Sequence, residues 1–263
     1  MIYIVSHKNV SLPHPAGFAP IQVGADPEDY PGFIRDNTGD NIAWKNPNYC
    51  ELTALYWIWK NTRDPYKGLV HYRRYFCRSP LLRGERNLIS YREMTQMLCQ
   101  ADIILASPAA SHVNCRQQIL LESTTQEVQR LLARRLKRMY PDYVPAWRRF
   151  MAGNRASLFN MMFCRGQLFD EYCSWLFPLL GSLEQDIDLD RLNDYQKRVY
   201  GFLSERLLNI WVLHNRLTVR YLPVMNTDNS LMDDLTLCRR QLTNQLRFEI
   251  SRLGAGQPQS FHR

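Results

Sequence analysis

The sequence predicts an α/β fold, a mixed and mainly parallel central sheet flanked by helices, with an amphipathic helix added at the C-terminal end. Short apolar runs at residues 2–6, 68–72 and 102–108 alternate with longer stretches of helical periodicity, the pattern of layered β and α units. Two of those runs end in polar and basic side chains, Ser6-His7-Lys8 and His71-Tyr72-Arg73-Arg74. In open α/β sheets, ligands sit just outside the carboxyl tips of the strands. At 263 residues the chain can hold one such domain with an appendage. Residues 1–229 are expected to form the domain and 230–263 the tail.

Each element has its own warrant. Residues 2–6 are a first parallel strand. The next thirty residues hold Pro13, Pro15, Pro20, Pro27 and Pro31, an irregular connection with a candidate strand at 21–25. Residues 36–41 (Asp-Asn-Thr-Gly-Asp-Asn) are a loop by turn chemistry. Asn46-Pro47 opens a helix carrying Leu52, Leu55, Tyr56 and Trp59 at helical spacing, and Asp64-Pro65 stops it. Ser90 and Glu93 form a capping-box pattern for a helix to about residue 100. One or two helices span 117–139, with a solvated basic face of Arg130, Arg134, Arg135, Lys137 and Arg138. Residues 157–164 read as a buried strand interrupted by Asn160, which needs a partner inside the protein or on a ligand. Phe169, Cys173, Leu176, Leu180 and Leu183 mark an amphipathic helix. Asp186, Asp188 and Asp190 read as an acidic connection rather than a metal site.

The longest helical pattern, 192–215, puts Arg198, Gly201, Phe202 and Glu205 on one face. Glycine in mid-helix costs about 1 kcal/mol against alanine, so close approach of another backbone is expected at Gly201. Residues 217–224 are a closing strand and 226–229 a turn. In the tail, Leu235, Cys238, Leu242, Leu246, Ile250 and Leu253 form a stripe with Arg239, Arg240, Arg247 and Arg252 off it, ahead of a disordered end at 254–263. Such a helix docks on its own domain or a partner, or lies on acidic lipid.

Composition narrows the function. The net charge of +8 favours an anionic partner: a nucleotide diphosphate, nucleic acid or acidic lipid. The basic residues are scattered and no nucleic-acid-binding motif occurs, which argues against nucleic acid. The seven cysteines include no CxxC pair and read as reduced thiols. With no signal peptide and no apolar run near the eighteen residues a membrane span needs, the expected location is cytoplasmic, with peripheral contact at the inner membrane through the tail.

Two blocks, GDNIAWKNPNYCELTALYWIWKN (39–61) and GLVHYRRYF (68–76), together with Asn160-Met161-Met162, residues 172–177 and residues 201–208, carry a resemblance over about residues 1–225. The chain resembles a bacterial family of O-antigen and capsule glycosyltransferases long described as a domain of unknown function, the family of the galactofuranosyltransferase domain of the D-galactan O-antigen polymerase. The resemblance implies a single GT-A-like nucleotide-sugar-binding domain and an inverting hexosyltransferase. It also implies a nucleotide-sugar donor, UDP-linked first, and a lipid-linked glycan acceptor in polysaccharide assembly. A Tyr-His-Asp arrangement of the family falls where this chain has Leu121-Glu122-Ser123-Thr124-Thr125, which leaves the sugar open.

Many such domains hold a divalent cation on a D-x-D pair after a central strand. Here the corresponding strand ends in His71-Tyr72-Arg73, a poor ligand set for a hard cation. The expectation is that His71, Arg73 and Arg74, helped by Lys8, His7 and Tyr72, neutralise the departing diphosphate, a metal (Mn or Mg) being left open as cofactor. One of the two arginines is expected to pair with Asp40 or Asp102 instead. Asp36, Asn37, Asn41, Asn160 and Arg198 are candidates for ribose or sugar hydroxyls. The base is expected among Glu205, Asp40 and Asp36, with Glu205 first because a helix positions it, although an ion pair with Arg198 or Arg206 is its other reading. A non-catalytic partner subunit of a polysaccharide assembly and a nucleic-acid-binding protein are the alternatives.

Overall fold

In the computed structural model, which describes residues 1–13, 15–24 and 26–255, the first strand β1 (Ile2–Ser6) is buried along its whole length. Its side chains alternate between two cores. Ile2 and Ile4 join Val70, Phe163 and Met94; Tyr3 and Val5 join Leu52, Leu55 and Leu69. A strand buried on both faces reads as an unbroken apolar run, as this one does.

β1 pairs in parallel with β2 (Phe18–Gln22), which carries β3 (Ile34–Arg35), and on its other side with β4 (Tyr66–His71). β4 turns through Tyr72-Arg73 into the antiparallel β5 (Arg74–Phe76). Further on come β6 (Ile103–Ala106) and a separate ribbon of β7 (Ala109–Ala110) and β8 (Arg155–Ala156). β9 (Met162–Arg165) is inserted antiparallel between β4 and β6, β10 (Val219–Leu222) runs parallel to β6, and β11 (Val224–Asn226) pairs with β5. The order is β10-β6-β9-β4-β1-β2-β3. The sheet is mixed and mostly parallel, as the sequence implies. Because β9 runs against its neighbours, its amino end lies beside the carboxyl tips of β4 and β6.

Helices α1 (Asn46–Tyr49) and α2 (Leu52–Asn61) pack on one face of the sheet, and α3 (Tyr91–Met97) on the other, where Ser90 and Glu93 form the expected capping box. The first face also takes α4 (Cys115–Glu122), α5 (Gln126–Met139), α6 (Val144–Ala152), α7 (Gly166–Gly181) and α8 (Val199–His214). The final helix is α9 (Leu231–Ala255).

Three differences from the sequence reading have physical causes. The helix expected from Asn46 onward is broken at Cys50, which adopts φ 51°. The Asn46 amide stabilises the break by donating to the Cys50 carbonyl at 2.9 Å and to Thr53 Oγ1 at 3.1 Å. α8 presses on this point through Gly201, where a Cβ would stand 3.3 Å from Cys50 Sγ. The strand expected at 157–164 shrinks to β9 because Phe159 and Asn160 take φ values of 75° and 53°. α9 docks by its polar face rather than its apolar stripe. Asn244 Nδ2 donates to the Ala110 carbonyl at 2.9 Å, Asn154 donates to Gln245 at 3.2 Å, and Arg83 pairs with Asp234 at 2.5 Å. Leu235, Leu242, Leu246 and Ile250 face solvent. α9 includes residues 254 and 255 of the end expected to be disordered; 256–263, like the Leu253 side chain, lie outside what is described.

Candidate active site

The carboxyl tips of β1 and β4, the amino end of β9, the α1–α2 break and the first half of α8 surround one cleft of about 980 Å³. That is at the upper end of the roughly 300–1,000 Å³ typical of small-ligand sites. β1 delivers His7 and Lys8, and the β4–β5 turn delivers His71, Tyr72, Arg73 and Arg74. α8 delivers Phe202 and Glu205, the turn just before it delivers Arg198, and α9 reaches in with Arg240.

The electrostatics divide these groups. Burial pushes the His71 imidazole below its usual range, against the raising pull of Glu51, and burial followed by Lys8, Arg73 and Arg198 does the same to His7. Both shifts favour the uncharged ring, so neither imidazole adds to the cationic charge of the cleft near pH 7. His71 instead anchors the floor, its Nε2 meeting the Phe159 carbonyl at 2.6 Å. Lys8 lies 6.0 Å from the centre of the Tyr72 ring, and Arg74 stacks over Phe159 at 4.5 Å. Arg73 pairs with Asp228 at 3.2 Å rather than with Asp40 or Asp102, in an exposed contact that a phosphate can replace. Arg198 lies over Phe202 at 5.4 Å and donates from Nε to Cys50 Sγ at 3.2 Å, which leaves the tip of its guanidinium toward the cleft.

Beneath the cations lies an acidic floor. Glu205 Oε1 accepts the Phe159 N–H at 2.7 Å and Oε2 accepts from Arg206 at 2.5 Å, Arg206 being only 1% exposed. Burial raises the Glu205 carboxyl above its usual range, and Arg206 opposes this. Glu51, at the start of α2, accepts from Asn160 Nδ2 at 2.7 Å. Asn160 is itself fixed by the Gly201 carbonyl at 3.1 Å and the Ser204 hydroxyl at 2.9 Å. It is thus a buried bracket behind the cleft wall.

The 36–41 candidates are not brought to the cleft. Asp40 accepts from Tyr56 Oη at 3.0 Å, Asn37 is exposed elsewhere, and Asn41 closes a local turn on Gly39 and Ala43. Asp36 is buried, its Oδ2 without a partner, and burial pushes its carboxyl up to about 6.

Residues 1–216 match the family described as Domain of unknown function (DUF4422). The chain belongs to that family. Among solved structures, this DUF4422 chain is similar to the apo structure of the WbbM bifunctional glycosyltransferase, with a TM-score of 0.80 and 28% identity over 87% of this chain and 45% of that one. It therefore spans less than half of the WbbM chain. It is also similar to the mannosyltransferase Ktr4p from S. cerevisiae, with a TM-score of 0.32 and 11% identity over 80% of this chain and 62% of that one, a likeness too loose to argue from. No curated protein matches the chain. The WbbM likeness identifies a glycosyltransferase fold in this DUF4422 chain, as the sequence motifs imply.

Sequence reasoning missed several cleft residues of the DUF4422 chain: Asn46, Glu51, Tyr195, Arg206 and Arg240. Glu51 sits inside the motif Asn46-Pro47-Asn48-Tyr49-Cys50-Glu51, but a helix running unbroken through Cys50 would aim it elsewhere. Glu122 and Ser123, from the segment that departs from the family pattern, also line the cleft. A second, more open hollow of about 900 Å³ lies at the opposite end of β4. Its buried cation Lys67 is already paired with Asp170 at 2.7 Å.

Proposed function

We propose that this chain is an inverting glycosyltransferase that moves a hexose, galactofuranose first among candidates, from a UDP-linked donor to a growing lipid-linked surface polysaccharide. The observation that carries the reading is the convergence of Lys8, Arg73, Arg74, Arg198 and Arg240 on one cleft at the strand tips of a glycosyltransferase fold. Transfer leaves a diphosphate behind, and preorganised cations aimed at that developing charge lower the barrier. Arginine adds two parallel hydrogen bonds to a phosphate. The β4 tip is a poor ligand set for a hard divalent cation: it offers an imidazole, a phenol and two guanidiniums, and of the three carboxylates lining the cleft, Glu51, Glu122 and Glu205, the last has both oxygens engaged. The cations of the chain take that role. Residues 1–229 act as the catalytic domain. The tail, with its outward apolar stripe and neighbouring arginines, holds the enzyme at an anionic membrane surface where a lipid-linked acceptor resides.

A thermal-shift screen against UDP, GDP, CMP and dTDP sugars tests the donor, since a matched nucleotide at 100 times its Kd stabilises by about 2.7 kcal/mol. Stabilisation by one nucleotide and EDTA-insensitive turnover are expected. Turnover strictly dependent on manganese overturns the metal-free scheme.

A further inference from the structure

We propose that Glu51, not Glu205, is the base that takes the acceptor proton, with Asn160 as its positioning residue. The inference rests on the transferase reading above. Of the carboxylates on the cleft floor, Glu205 has both oxygens committed, Oε1 to the Phe159 N–H and Oε2 to the buried Arg206. Each oxygen already accepts one hydrogen bond, and a proton arriving on the carboxylate would cancel the charge that the buried Arg206 needs. Glu205 is thus the keystone of the floor, holding Phe159 in its left-handed conformation and neutralising Arg206.

Glu51 differs on each count. Only its Oε1 is engaged, by Asn160 Nδ2 at 2.7 Å, and among the described residues no protein donor reaches Oε2. Its side chain lines the cleft and is partly exposed. Its backbone is aimed by the Cys50 break, a sparsely populated conformation that costs about 1–3 kcal/mol at a non-glycine residue. Its bracket is locked in turn, since Asn160 spends its remaining amide valences on Gly201 and Ser204 of α8. A carboxylate with one oxygen fixed and the other bare, under a cationic rim, is arranged to receive a proton.

In the step, the acceptor O–H gives its proton to Glu51 Oε2 while the oxygen's electron pair forms the new bond to the anomeric carbon. The bond from that carbon to the diphosphate oxygen breaks, and its electron pair leaves with the diphosphate toward Lys8, Arg73 and Arg74. Water in place of the acceptor gives donor hydrolysis by the same route.

The test uses the full chain, the UDP-sugar selected by thermal shift, and two acceptors, water and an alkyl galactoside. E51Q is expected to keep its melting temperature and its shift with UDP while turnover falls 100- to 10,000-fold, the usual range for a general base. The acidic limb of the kcat–pH profile should disappear in E51Q. N160A, where the carboxylate remains but loses its bracket, should lower kcat, leave the UDP shift in place and displace that limb rather than abolish it. E51Q turning over within tenfold of wild type overturns the assignment while the transferase reading stands. The same holds if a folded E205Q loses the acidic limb and E51Q keeps it. A wild type that binds none of the four nucleotides, or binds one and turns over no donor, overturns the transferase reading and the base together.

Discussion

Asp36 and Glu205 are both buried carboxyls near the strand tips, yet their solutions differ. Asp36 has one oxygen without a partner and its carboxyl is pushed up to about 6 by burial, above an ordinary value of 3.8. The folded state therefore holds its proton more tightly than the unfolded state, so stability falls as pH rises from about 4 to about 6 and is then level. Asp36→Asn should raise stability by about 1–3 kcal/mol at pH 7.5 and leave it unchanged near pH 4. Urea unfolding at the two pH values checks this; a gain of equal size at both would refute the burial argument. Glu205 has Arg206 instead, and removing one partner of a buried pair leaves the other charge stranded. Glu205→Ala should cost about 3–5 kcal/mol, read as a shift in the urea midpoint. A cost below about 1 kcal/mol would mean that water reaches Arg206. The basic residues at the strand tips were legible in the sequence because a short apolar run announces where its tip lies. The partners of Glu205 were only half legible: the Arg206 ion pair follows from adjacency, but the Phe159 N–H comes from a loop 46 residues away.

At the scale of elements, strands and long helices follow from periodicity because burial on a sheet face imposes the period on the sequence. The departures cluster where the site is built. Helical spacing continues across Cys50, so nothing local announces the break; it is imposed by α8 packing through Gly201 and by the side chain of Asn46. The amino end of β9 is likewise apolar enough to read as strand, but tertiary hydrogen bonds to Glu205 and His71 hold Phe159 out of it. The sheet has its own tight point. At Gly68 in β4 a Cβ would stand 2.7 Å from the Met162 carbonyl and from the Phe163 ring, so β9 can lie against β4 only over a bare backbone. Gly68→Ala should therefore destabilise by about 1–3 kcal/mol through overpacking, despite alanine's lower backbone entropy cost. Because β9 leads into the Phe159 turn, the variant should also lose UDP affinity even when folded. Unaltered unfolding and binding would show that the two strands separate without cost.

For the molecule as a whole, the +8 charge is not spread evenly in its consequences. Part of it converges on the cleft, part surrounds α5, and part flanks α9, whose Arg240 reaches the cleft while its apolar stripe looks outward. The stripe itself was legible from its spacing; its direction was not, because Gln241, Asn244 and Gln245 look like a solvated face and prove to be the docking one. No helix among the described residues is long and apolar enough to cross a membrane. Leu242, Leu246 and Ile250 are 70%, 64% and 67% exposed, and burying each in acyl chains is worth about 1.5–3 kcal/mol. Replacing Leu242 and Ile250 by glutamate removes two of these contributions and adds charge that anionic lipid repels, yet touches neither the docking amides nor the cleft. The L242E/I250E variant should thus retain its melting temperature and UDP shift but bind phosphatidylglycerol vesicles at least 100-fold more weakly in co-sedimentation. Binding of the wild type should also weaken between 0.1 and 0.5 M salt as the arginines are screened. If the variant sediments with vesicles as wild type does, the stripe is not the membrane face.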